Sequence, residues 1–139
     1  MIEKCNDKSD KSEVVVRENG KTFRIINKSR LLINTVTIDG CYITKGRRCD
    51  YLFEIVDKDI IKNVFYVELK GKDIEHAVTQ LEATIKCCKQ IHNELNRKAF
   101  IVASRVPKSG TCTQVIKRRF LSNNGFLLYI DTNCREVTI

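Results

Sequence analysis

The chain lacks most of the features that would take it out of the ordinary globular class. One proline and six glycines in 139 residues exclude collagen-like and Pro/Gly-rich disordered architectures. Long apolar runs are missing: the longest, such as Phe100 to Ala103 and Phe126 to Ile130, fall far short of the roughly 20 residues that a membrane-crossing helix needs. Met1 to Ser12 has neither the apolar centre of a secretory signal nor the acid-free, Arg-rich pattern of a transit peptide. A cytoplasmic protein is therefore expected, with a flexible tail over residues 1–12 and a single domain over 13–139. Cysteine is plentiful, but its seven copies are scattered and odd in number. Without a leader they read as reduced thiols packed as small apolar groups, and disulfides are not expected. Zinc held by some of Cys41, Cys49, Cys87, Cys88, His76 and His92 is the alternative. No CxxC or CxxxH pair supplies the local spacing of such a site.

Acidic residues are the minority among the charges, 17 against 25 Lys and Arg, for a net charge of +8. That balance favours a polyanionic partner through phosphate attraction and counterion release. The basic residues cluster at Lys45-Gly46-Arg47-Arg48 and Lys117-Arg118-Arg119, with Arg97-Lys98 and Lys108 between them. A solvated basic surface would give the same composition.

Along the chain the front half reads as β. Val14 to Arg17 and Thr22 to Ile26 flank Asn19-Gly20, the strongest short hairpin signal. Leu31 to Ile38 and Cys41 to Thr44 follow, then Asp50 to Val56, a polar turn at Asp57-Lys58-Asp59, and Val64 to Lys70. After Gly71 the apolar period changes from two to about 3.6, through Ile74, Ala77, Val78, Leu81, Ile85, Cys88, Ile91 and Leu95. The spacing predicts one long amphipathic helix, with Asp73 as N-cap and Glu75 favourable in its first turn. A strand at Ala99 to Ser104, a helix at Thr113 to Ser122 stopped by Asn123-Asn124-Gly125, a strand at Phe126 to Ile130 and a last edge strand through Val137 complete an α/β (α+β) domain. His76 and His92 flank the apolar stripe and read as surface or helix-packing residues.

In Val64-Phe65-Tyr66-Val67-Glu68-Leu69-Lys70 the strand period sends Glu68 and Lys70 to one face. Pairing with the preceding strand through the 57–63 turn would bring Asp50 near Glu68. Two carboxylates from adjacent strands make a hard oxygen site suited to Mg²⁺ or Mn²⁺. Asp50, Glu68-Leu69-Lys70, Gly71 and the helix after them resemble the PD-(D/E)xK, or restriction-endonuclease-like, nucleases over roughly Thr35 to Ile130. The resemblance implies a mixed central sheet flanked by helices. It also implies Asp50 and Glu68 as catalytic metal ligands, the Leu69 carbonyl as a further ligand, Lys70 as the catalytic lysine and Gln80 as a helper. Cys49 replaces the proline that names the motif, and Thr84 stands where some branches carry a tyrosine. No amino-terminal helix supplies the family's additional Glu: Glu13 and Glu18 lie in β-like sequence, and Asp39 is the alternative acid.

The implied function is metal-dependent hydrolysis of phosphodiester bonds, DNA favoured over RNA, with Lys45, Arg47, Arg48, Lys72 and Arg105 as phosphate contacts. Cutting both strands takes two sites, which a homodimer would supply. The competing readings are a catalytically inactive nuclease-fold binding module and an accessory protein whose basic surface meets an acidic partner.

Overall fold

Two tight turns organise the antiparallel part of the structure. Asn19 and Gly20 both have positive φ (52° and 76°), as a type I′ hairpin requires, and they fold β2 (Glu13–Glu18) onto β3 (Lys21–Ile26). Lys58 and Asp59, at φ 52° and 66°, do the same between β5 (Tyr51–Asp57) and β6 (Ile60–Gly71). The structure, a computed structural model, describes residues 5–41, 46, 49–71, 73–93, 95–106 and 110–139, with backbone alone for 70, 71, 110 and 111.

β1 (Asn6–Ser9), β4 (Leu32–Thr37), β5 and β6 form an antiparallel run. Helix α1 (Ile74–Cys87) and the single turn α2 (Lys89–His92) then carry the chain back to β7 (Asn96–Ala103), which pairs parallel to β6. Helix α3 (Gly110–Asn124) leads likewise to β8 (Leu128–Thr132), parallel to β7. The result is a six-stranded mixed sheet in the order β1-β4-β5-β6-β7-β8. A second sheet, β2-β3-β9, closes with β9 (Cys134–Thr138) running parallel to β3.

The large sheet is buried on both faces, which is why the middle of β6, Val64 to Val67, is a continuous apolar run. Strand alternation sends Val64 and Tyr66 into a cluster under the helices with Leu81, Ile85, Ile116 and Phe120. Phe65, Val67 and Leu69 enter the opposite cluster beneath the small sheet. Phe23 joins that small sheet to the large one, its ring centroid 5.4 Å from Phe53 and 4.9 Å from Phe100. Among the described residues no helix is long and apolar enough to cross a membrane.

Several expectations need correction. Asn6–Ser9 is an edge strand on β4, so this part of the expected tail belongs to the sheet. Cys5 and Cys41 form a disulfide: pairing of β1 with β4 draws together two cysteines 36 positions apart, a proximity that local spacing cannot show. The expectation that all seven cysteines are reduced thiols is therefore overturned at this pair, a bond of a kind that persists in oxidising surroundings. Reducing this bond, or Cys41→Ser, should lower stability by about 2–4 kcal/mol. Melting curves with and without reductant check this, and identical curves would contradict it.

The long helix is also interrupted, at Cys88 (φ −96°, ψ 7°). Beyond it Ile91 is exposed, while His92 takes the inward position. The apolar period runs on through Ile91 in the sequence, but the polar partners waiting in the sheet favour His92 there. The last strand, β9, is an edge strand through Val137 as expected, and its partner is β3 of the small sheet.

Candidate functional site

Asp50 sits at the entrance to β5, tied into the sheet by its backbone. Its N–H donates to Val67 O at 3.2 Å, and its carbonyl accepts from Ile38 N at 3.0 Å and Asp39 N at 3.4 Å. Its carboxylate Oδ2 accepts the Leu69 N–H at 2.7 Å, which sets the side chain against the peptide joining Glu68 to Leu69. The β5–β6 register pairs Tyr51 with Val67, and strand parity places Asp50 with Leu52, and Glu68 with Tyr66, on the helix side of the sheet. Asp50 and Glu68 are each 2% exposed, so a charge between them would be only weakly screened.

Helix α1 closes the site from above. Asp73 accepts the His76 N–H at 3.3 Å to start the helix, and Glu75 pairs with Arg119 of α3 at 2.7 Å. One turn after Gln80, the buried Thr84 hydroxyl accepts the Cys49 N–H at 2.8 Å and donates to Gln80 O at 3.3 Å. The helix is thereby clipped to the residue before Asp50. Burial pushes the Cys49 thiol pKa up, and the charges of Glu68 and Asp50 add to that shift, so Cys49 is a neutral wall of the site. Thr84→Val should cost about 1–3 kcal/mol, because it leaves a buried N–H unsatisfied. Denaturant titration measures that loss, and an unchanged midpoint would remove the clip from the account.

The remaining expected residues fall into three groups. Gln80 lies half-buried on α1, on the same side as Thr84. Leu69 turns its side chain into the opposite cluster and meets Asp50 through its backbone. Lys70 belongs to β6 by its backbone, its side chain being outside the described residues. Lys45, Arg47, Arg48 and Lys72 also lie outside the described residues. Arg105 is exposed just past β7. Glu13 and Glu18 sit on β2, in the layer across the large sheet from Asp50 and Glu68, and cannot assist them. Asp39 adjoins Asp50 through the backbone. Among the described residues no group of three or more His, Cys, Asp or Glu is gathered for a metal.

A second buried polar chain escaped the sequence. Glu54, on the same face of β5 two positions beyond Leu52, bonds His92 Nε2 at 2.7 Å and Asn34 Nδ2 at 2.9 Å. His92 Nδ1 meets the Tyr66 hydroxyl at 3.0 Å. Burial alone would raise the Glu54 pKa, but the hydrogen bonds from His92 and Asn34 outweigh it and hold the carboxyl below its ordinary value. Burial raises the Tyr66 hydroxyl well above its ordinary value. The parity of Asp50, Leu52 and Glu54 was the available signal, since a carboxylate on a helix-covered face requires partners.

Comparison with protein-family models, with curated proteins and with solved structures gives no match.

Proposed function

We propose that the chain is a metal-dependent nuclease of the PD-(D/E)xK type, hydrolysing phosphodiester bonds with DNA as the favoured substrate. The observation that carries this reading is the Asp50 carboxylate fixed against the Glu68–Leu69 peptide on neighbouring central strands. Support also comes from the chain order: the antiparallel run β4-β5-β6, then helix α1, then parallel β7, is the order of three strands, helix and strand in that family's core. The helix that precedes the three strands in the family has no counterpart between β3 and β4.

The donor set fits the cation. Asp50, Glu68 and the Leu69 carbonyl would hold it through hard oxygen atoms, the donor type that Mg²⁺ and Mn²⁺ prefer. Mg²⁺ or Mn²⁺ bound there supplies Lewis acidity and lowers the pKa of bound water. Asp50 is oriented in advance by the Leu69 N–H, so little reorganisation is required of it. Lys70 is assigned to orienting the attacking water or to countering charge on the phosphorane-like transition state, and Gln80 to holding the site. Lys45, Arg47, Arg48, Lys72 and Arg105 are assigned to the nucleic-acid backbone.

One observation favours a second reading, a non-catalytic binding module of the same fold: both carboxylates are almost fully buried, and Asp50 already serves as a structural acceptor. Incubation of supercoiled plasmid and single-stranded DNA with the chain separates the two. The nuclease reading expects cutting with Mg²⁺ or Mn²⁺, none in EDTA, and strong loss in Lys70→Ala. A folded chain that cuts neither DNA nor RNA with either metal would replace it by the binding module.

A further inference from the structure

A cavity of about 300 Å³ opens between the last turns of α1 and α3 and the start of β7. It lies at the other end of the large sheet from Asp50 and Glu68. Ile101 is the register partner of Glu68, and the four residue steps from Arg97 to Ile101 span roughly 13 Å of strand. None of the residues assigned above to catalysis lines it.

Its walls carry three cations, Lys86, Lys89 and Arg97, against one carboxylate, Glu82. Glu82 is fixed at the rim by Asn124 Nδ2 at 3.0 Å, and Asn124 also donates to Phe120 O at 3.0 Å. Neither lysine forms an ion pair with another described residue, and both are exposed. Like charges gathered around a concave surface repel one another unless an anion joins them.

Arg97 is different in kind, because the fold positions it. Its guanidinium lies over the Phe126 ring at 4.6 Å and beside the Tyr66 hydroxyl, and its Nε is buried without a hydrogen-bond partner. Behind Tyr66 stands the buried chain through His92 and Glu54 to Asn34. Such backing holds a guanidinium in place before any ligand arrives. A planar fork held in place by its ring and hydroxyl neighbours, with two exposed ammonium groups lining the same cavity, is a donor set that phosphate oxygens match. The volume is at the small end for ligand pockets, suited to a phosphate or diphosphate group rather than a large apolar body.

We infer that this cavity is an anion site for a phosphate group, with Arg97 as the preset donor and Lys86 and Lys89 as the charges that close over it. The phosphate belongs either to a nucleic-acid backbone or to a free phosphorylated small molecule. The inference does not depend on the nuclease reading.

Calorimetric titration with inorganic pyrophosphate in EDTA, where no metal can bridge the ligand to Asp50 or Glu68, tests it. Saturable binding is expected, weakened about tenfold or more in the doubly substituted Lys86→Gln/Lys89→Gln chain. Both positions are exposed, so that variant should fold as the parent does. A short single-stranded oligonucleotide in the same buffer identifies the source. If its log-affinity against log-salt slope falls by about 1.4 in the variant, the two lysines hold backbone phosphates. An unchanged slope with lost pyrophosphate binding assigns the site to a small phosphorylated molecule. Absence of saturable pyrophosphate binding to the parent chain, or equal binding by the variant, overturns the inference.

Discussion

Asp50→Asn and Glu68→Gln should each lower metal-dependent cleavage by about a thousandfold while leaving the chain folded. Several kcal/mol of transition-state stabilisation depend on a cation held in place, and each 1.36 kcal/mol is a factor of ten in rate. The isosteric amides matter because Asp50 also has a structural duty: its Oδ2 accepts the Leu69 N–H at 2.7 Å. The Asp50→Asn variant keeps an acceptor there and loses about 1 kcal/mol, the difference between a charged and a neutral bond. An alanine would instead leave a buried N–H unsatisfied, and lost folding would be confused with lost chemistry. Plasmid cleavage at saturating Mg²⁺, with circular dichroism as the folding control, gives the result. Folded variants that cut as fast as the parent would remove both carboxylates from the mechanism.

The largest stability effect should come from His92, which supplies no chemistry to the proposed reaction. Glu54 is 7% exposed and His92 fully buried, so His92→Ala strips a buried carboxylate of its nearest partner, at a cost of about 3–5 kcal/mol. Replacing Glu54 and His92 together by leucine should cost less than the sum of the two single changes, because the second removes the charge that the first left stranded. Additive losses in denaturant titrations would show that the pair is not coupled. Acid gives an independent check. The folded Glu54 carboxyl titrates below its ordinary value, so at low pH the unfolded chain takes up its proton first. The stability due to Glu54 is fully present above about pH 5 and is lost as pH falls through the ordinary glutamate value near 4.3 towards the lower folded one. Glu54→Gln should flatten that part of the acid unfolding curve.

What the sequence made legible depended on short range. The Asn19-Gly20 hairpin, the N-cap at Asp73 and the end of α3 at Asn124, before Gly125 at φ 81°, are each decided by neighbouring residues and were readable at once. Asp50 and Glu68 fell on adjacent strands because a short polar segment joins the two runs, but the turn is Lys58-Asp59 alone and β6 begins at Ile60 rather than Val64. Partners set by distant chain were not. The disulfide follows from β1 docking on β4, β9 joins β3 across more than a hundred residues, and His92 turns inward because Glu54 and Tyr66 can satisfy both ring nitrogens. The apolar period pointed to Ile91 at that level, since periodicity weighs hydrophobicity and cannot see a polar partner on another element.

Titration of Mn²⁺ into the folded chain, monitored by calorimetry, bears most directly on the pairing of Asp50 with Glu68 as a metal site. Saturable binding that is abolished by Asp50→Asn and by Glu68→Gln, each still folded, is the predicted result. No saturable binding, or binding that survives both substitutions, would contradict it.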